Sequence, residues 1–442
     1  MYDPLINDFP ANQPLPNSYW HSQIDLGPPT KTLTGTQTTN VAIIGGGYTG
    51  LLTAFYLATE FNIDCHVLEA NQVGFGASGR NAGFVLKGSG RLGFAQMAKR
   101  WDIITAKGIY DEFTQAVLRV DELIATNNIE CQRQEKGYLK VAHNVKAMQQ
   151  LEGAAKFIQQ HCGDNAEVVS KSELVTNYMN NKQACGALRL TDGFGVQPLK
   201  LLLGYKQMMQ AAGVLLSEQS CVYECLEEAG KYRLQTDKGE LIANKVIFAG
   251  NGYSPKQITP QIDKKFLPIL SNIIVTEPLT AAQLLATGIQ TRQVTMDTRI
   301  LKYYYRLLPD NRLLFGGRGA VWGKNQADQK FSKRLKMALD NCFPALEKVR
   351  VDYNWTGWIA ASFDDMPHVY EKNGLGYSLG YCGAGLSFSA QAAYRLAQSI
   401  AGEALPELPL YQQPLPAMPF AKARRWGQWA YYHYGYIKDK FG

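Results

Sequence analysis

The sequence predicts a doubly wound α/β domain assembled from separated segments, joined to an α+β domain with a mainly antiparallel sheet. Three observations carry this. Short apolar runs ending in glycine recur near the start, middle and end of the chain: residues 41–44 before Gly45, 245–249 before Gly250, and 376–379 before Gly380. The first and last of them open, through a glycine-rich turn, into a helical pattern. The segments between them differ in character, residues 95–185 being mostly helical in pattern and 265–325 rich in strand-like runs.

Taken in order, Val41, Ala42, Ile43 and Ile44 read as a buried strand. Residues 51–61 place Leu51, Leu52, Ala54, Phe55, Leu57, Ala58 and Phe61 at the spacing of a helix packed on a sheet. Cys65, His66, Val67 and Leu68 form the next strand, closing a βαβ unit of the usual ~30 residues. A strand at 137–142 interrupts the helical stretch, and a helix at 198–212 leads to a strand at 214–216. Runs at 272–276, 302–307 and 312–317, with a turn at Pro309, Asp310 and Asn311, predict the antiparallel sheet. A strand at 376–380 then precedes a helix at 387–402.

The expected organisation is therefore an extended arm (1–37) pinned by Tyr19 and Trp20, then a nucleotide domain built from 38–94, 186–255 and 350–403. A substrate domain is expected from 95–185 and 256–349, and a Pro-rich, then aromatic, tail from 404–442. The tail is expected to pack on its own protein, with a lipid interface as the alternative.

Composition narrows the function. The 442 residues carry 45 Lys plus Arg against 38 Asp plus Glu, a net charge of +7 that is scattered apart from Lys422, Arg424 and Arg425. That distribution disfavours nucleic-acid binding, which needs a concentrated basic face. The eight cysteines form no CxxC pair and the six histidines fall at no metal-ligand spacing, so neither a metal site nor a disulfide framework is expected. No charged-then-apolar leader and no run of ~20 apolar residues is visible, and the expected location is cytoplasmic.

Gly45, Gly47 and Gly50 fall at G-x-G-x-x-G spacing between strand and helix, the context a dinucleotide pyrophosphate requires. Tyr48 and Thr49 open the helix, whose free N–H groups favour phosphate. Glu69, nineteen residues after Gly50, can accept both ribose hydroxyls, and its charge would repel a 2′-phosphate. A second loop, with Gly74, Gly76, Gly79 and Gly83 among small residues, gives close backbone approach to a cofactor longer than its pyrophosphate. The third, Gly380 to Ser387, aims another helix N-terminus where a reduced flavin carries negative charge. Together the three turns select FAD over NAD.

These stretches resemble the D-amino-acid oxidase superfamily, with its glutathione-reductase type of FAD-binding domain. They are nearest the branch of glycine/sarcosine oxidase and gamma-glutamylputrescine oxidoreductase. The likeness rests on residues 41–51, 76–81, 196–201, 246–251, 304–307, 312–317, 355–357 and 380–385, which span most of the chain. It implies FAD contacts from Gly45, Gly47, Tyr48, Thr49, Gly50, Glu69 and Ala70, and from Ala77, Ser78, Arg80, Asn81, Ala82, Gly83 and Phe84. It further implies contacts from Val222 and Gly250, and from Gly380, Gly383, Ala384, Gly385 and Leu386. Asn81 occupies the region where some relatives carry a linking His, and residues 358–364 hold no Cys where others link the flavin, so the FAD is expected to be non-covalent.

The implied reaction is oxidation of a small amine or amino acid, a gamma-glutamylputrescine-like amine among them, by hydride transfer to flavin N5. The resulting imine hydrolyses to an aldehyde or keto acid, and oxygen is the family's usual acceptor, giving peroxide. Ala384 stands where relatives often have His, and no Lys lies within 312–317, where one would be sought for reaction with oxygen; Lys302 is nearby. A quinone or protein acceptor at a membrane surface is the alternative. Tyr305, Arg306 and Trp358 are the expected catalytic residues, and Tyr303, Tyr304 and Trp355 are further candidates for the pocket wall, with Arg306 placed to bind a substrate carboxylate. Alternation along a strand puts Tyr303 and Tyr305 on one face and Tyr304 on the other.

Overall fold

A computed structural model describes residues 2–256 and 258–441. Its first sheet runs His368–Lys372, Leu375–Leu379, Gly239–Phe248, Gly35–Ile44, Cys65–Leu68, Leu215–Ser217 from edge to edge. All neighbours in that row are parallel except the outermost hairpin, and Glu224–Glu228 with Lys231–Gln235 adds an antiparallel flap to Gly239–Phe248. Val41, Ile43 and Val67 are buried beneath the helix Tyr48–Thr59, and Ala42, Leu68, Val246 and Phe248 fill the opposite layer. Strands covered on both faces have to be nearly all apolar, which is the pattern the sequence shows.

The second sheet has the order Val351–Ser362, Phe266–Thr276, Leu313–Arg318, Tyr304–Leu307, Val294–Asp297, Tyr138–Ala142, Gly186–Leu190, Ala166–Ser170. Only Val294–Asp297 and Tyr138–Ala142 run parallel. Two strands fall on the other side of the expected boundaries: Gly186–Leu190 and Val351–Ser362 belong to this sheet. The reason is their pairing. Val351–Ser362 lies antiparallel to Phe266–Thr276 along nearly its whole length before the chain returns to the first sheet. A buried strand of either sheet has the same composition, so sequence alone could not assign it.

The arm is held as expected. Trp20 is 1% exposed, its indole N–H donates to the Asn81 carbonyl at 2.8 Å, and its ring meets Trp355 edge-on. The tail returns over the second sheet as the helix Arg424–Phe441, with Tyr432 buried. Arg425 joins the two ends of the chain, pairing with Asp3 at 3.0 Å and donating to the Pro268 carbonyl at 2.7 Å. Among the described residues no helix is long and apolar enough to cross a membrane.

Candidate active site

A cavity of about 420 Å³ lies where the C-terminal ends of the parallel strands meet the second sheet. Such crevices are where open α/β sheets bind ligands.

The first turn sets one wall. Gly45 adopts φ +116°, and a Cβ there would stand 3.0 Å from the Ala249 backbone. A Cβ on Gly50 would collide with the Gly45 carbonyl oxygen, so only glycine lets the helix Tyr48–Thr59 start this close to its strand. That helix has Gly47 as N-cap, which brings no capping side chain of its own, and its N-terminus is turned to the cavity. Glu69 is buried. Its Oε2 accepts from the Gly46 N–H at 2.8 Å and its Oε1 from the Asn71 N–H at 3.0 Å. Burial raises its pKa, with these backbone bonds acting in the opposite direction. Each oxygen keeps a further lone pair for a sugar hydroxyl.

The second loop is organised by its own side chains. Ser78 Oγ accepts from the Tyr48 N–H at 3.0 Å, and Asn81 Nδ2 donates to the Ala77 and Ser78 carbonyls while its Oδ1 accepts from the Gly83 N–H at 2.8 Å. Arg80 is buried between the Phe75 and Tyr253 rings and donates to the Phe75 and Thr356 carbonyls. Among the described residues its Nε has no partner, and neither has the buried Oδ1 of Asn251, which also lines the cavity. The third turn is tied to the first: Tyr381 Oη shares its hydroxyl bonding with Thr49 Oγ1 and Ser378 Oγ, each at 2.7 Å. The helix Gly385–Ala401 likewise starts at the cavity without a side-chain cap.

These features fit an extended dinucleotide. Two helix starts whose N-cap residues bring no capping side chain suit anionic groups, Glu69 beside Ala70 and Val222 suits a ribose, and a buried guanidinium with a free N–H suits a polar ring edge.

Of the residues expected from sequence, Gly45, Gly47, Tyr48, Thr49, Glu69, Ala70, Ala77, Ser78, Arg80, Asn81, Ala82 and Phe84 line the cavity, as do Val222, Gly250, Gly383, Ala384, Gly385 and Leu386. Gly50, Gly83 and Gly380 stand behind the wall: side chains there would press on Gly45, Val196 and Ser362. Their smallness shapes the cavity without touching its contents.

The expected catalytic set is corrected more strongly. Tyr305 points to the other face of its strand, stacked on Phe315, with its hydroxyl accepting from Asn181 Nδ2 at 2.7 Å. Arg306 is buried with its guanidinium already used: Nε donates to Ala82 O, Nη1 to Gln134 Oε1 and Nη2 to Val196 O. It holds the second glycine loop and has no face for a substrate carboxylate. Burial lowers its pKa to about 9. Trp358 does line the cavity, while its indole N–H donates to the Tyr2 carbonyl at 3.0 Å. Alternation does hold, and it selects Tyr304. That ring lies over Gly316, where a Cβ would collide with it, and its hydroxyl meets Ser271 Oγ at 2.6 Å.

Sequence reasoning missed a group of cations. Lys140, Arg91 and Arg318 line the cavity with Lys302, on four separated segments. Nothing local in the sequence signals their meeting; only the strand order does. Lys302 Nζ donates to the Gly90 carbonyl at 3.0 Å. Its pKa is pushed down to about 7 by burial first, then by Lys140, Arg318 and Arg91. Burial also lowers that of Lys140.

Fold and cavity together define a flavoprotein with a two-sheet body. The chain belongs to the family described as FAD dependent oxidoreductase, which it matches over residues 40–399, and it is an FAD-dependent enzyme. It is 30% identical over 389 residues to gamma-glutamylputrescine oxidoreductase of Escherichia coli (strain K12), covering 88% of this chain and 89% of that one. Among solved structures it resembles glycine oxidase from Geobacillus kaustophilus, with a TM-score of 0.70 at 18% identity over 84% of this chain and 96% of that one. L-proline dehydrogenase from P.horikoshii gives a TM-score of 0.70 at 16% identity, over 85% and 96%.

Replacing Glu69 by Gln keeps its shape but removes the charge that accepts from Gly46, Asn71 and a ribose. FAD affinity is expected to fall roughly tenfold to a hundredfold, the cost of one or two charge-assisted hydrogen bonds. Titrating apoprotein with FAD and following flavin fluorescence measures this; an unchanged Kd would remove Glu69 from the cofactor site.

Proposed function

We propose that the protein oxidises a small amine that also carries a carboxylate, at the carbon next to its nitrogen. The product is an imine that water hydrolyses to an aldehyde or keto acid. FAD, when bound, supplies the hydride acceptor. Oxygen is the proposed final acceptor, with peroxide as product.

The cation cluster carries this reading. Lys140, Lys302 and Arg318 make no ion pair among the described residues, whereas the other two basic residues near them are matched. Arg91 pairs with Asp365 at 2.7 Å, and Lys87 with Asp164 and Asp192 at 2.5 Å. Glu69 is the one carboxylate among the described lining residues, and its bonds belong to the first turn. Like charges partly withdrawn from water without a counter-ion are costly, and an anionic ligand group removes that cost. Much of the remaining wall near them is apolar or aromatic, with Leu188, Ile273, Met296, Tyr304, Trp355 and Ile359. Such a surface disfavours an ammonium and so favours the neutral amine whose lone pair assists oxidation. An amine at one end and an amino-acid carboxylate at the other, as in gamma-glutamylputrescine, matches both halves, and the likeness to the Escherichia coli enzyme supports that choice.

Lys302 is charged below about pH 7 and neutral above it. Raising the pH through 7 should therefore weaken carboxylate binding and raise KM. Lys302→Met should raise KM about tenfold or more at pH 6 and flatten that rise, with kcat moving less. A variant whose KM matches the wild type across the range would refute the assignment.

We further propose that the FAD is held without a covalent bond. Cys221 and Cys382 are the cysteines on the described wall, and burial pushes their pKa values up to about 12 and 11, so both remain poorly nucleophilic thiols. No histidine is among the described lining residues. Acid precipitation should leave the yellow colour in the supernatant; colour retained in the washed pellet would show a tether.

A further inference from the structure

The helix Arg424–Phe441 has its polarity reversed relative to an ordinary surface helix, which hides apolar side chains and presents polar ones. Arg425, Gln428, Tyr432 and Gly435 form its buried seam. Gly435 seats the helix closely on Ile300 and Leu301, and Asp439 accepts from the N–H groups of those two residues at 2.8 and 3.0 Å. The body of the protein therefore fixes this helix despite its two glycines. On the outward side Trp426 and Ile437 are each 64% exposed and Tyr434 55%, and Phe420, just before the helix, is 88% exposed. Exposed cations border the aromatic side chains. Lys422 and Lys438 stand toward its ends, and Lys324 follows Trp322, whose ring meets Trp426 at 5.6 Å; none of the three makes an ion pair among the described residues.

We propose that this face docks the enzyme on an anionic membrane surface, with the tryptophans at headgroup level. Trp and Tyr bordered by lysine is the composition that partitions into the lipid–water interface. The lysines complement acidic headgroups. A second copy of the chain on the same face would instead set Lys422 and Lys438 near their own like charges. The helix lies on the surface and does not span it.

Flotation of the full-length, FAD-loaded protein with vesicles tests this. It should rise with phosphatidylcholine vesicles containing phosphatidylglycerol at low salt, and much less with phosphatidylcholine alone. Replacing Trp426→Ser and Trp429→Ser together should lower partitioning at least about tenfold by removing apolar area from the interface. Lys422→Ala with Lys438→Ala should lower it by about thirtyfold and erase the preference for the acidic lipid, at ~1 kcal/mol per lysine. Unchanged flavin absorbance and melting temperature show that the variants are folded. Failure of the wild type to float with acidic vesicles overturns the proposal, as does flotation of both double variants equal to that of the wild type. A dimer seen by light scattering and lost in the tryptophan variant, without flotation, would make the face an interface between copies instead.

Discussion

The structure depends on one close approach. The helix Tyr48–Thr59 begins so near the strand Gly35–Ile44 that Gly50 rests on the Gly45 carbonyl with no room for a methyl group. That contact directs the helix start, with glycine as its N-cap, into the crevice at the strand ends. Other pieces are then bound to it in turn: Ser78 to the Tyr48 N–H, Tyr381 to Thr49, and Glu69 to the Gly46 N–H. Three distant stretches of chain are thus fixed to one short turn before any ligand is considered. Such cross-links restrict the freedom of the cavity wall, which lowers the cost of ordering it around a ligand.

Arg306 shows how the second sheet joins this arrangement. A buried guanidinium is costly without partners, and here each of its three nitrogens donates once, to the Ala82 and Val196 carbonyls and the Gln134 amide oxygen. The strand Tyr304–Leu307 is thereby linked to the second glycine loop, and Tyr304, two residues earlier on the same face, is left on the cavity wall. The residue that looked like a substrate anchor is a positioning residue for the wall.

The cofactor half of the site was legible in the sequence because its chemistry is local. Glycine spacing, the strand before it and the helix after it all lie within a few residues, and their steric meaning does not depend on the rest of the fold. Boundaries were less legible where strands of the two sheets are equally apolar, as with Val351–Ser362. The half proposed to take the substrate was least legible. Lys140, Lys302 and Arg318 come together only because Val294–Asp297 pairs with Tyr138–Ala142 on one side and Tyr304–Leu307 on the other. In sequence each is an ordinary basic residue. The choice between Tyr304 and Tyr305 was reduced to two faces by strand alternation, but which face met the cavity depended on the sheet it entered.

The central claim is that cations within the cavity select an amine through a carboxylate at its other end. Anaerobic reduction of the bound flavin by gamma-glutamylputrescine, set against putrescine at the same concentration, tests it most directly, because the two offer the same primary amine with and without the amino-acid end. The account predicts rapid loss of the yellow flavin band with the first and little with the second. Equal or faster reduction by putrescine, or no reduction by either, would contradict it.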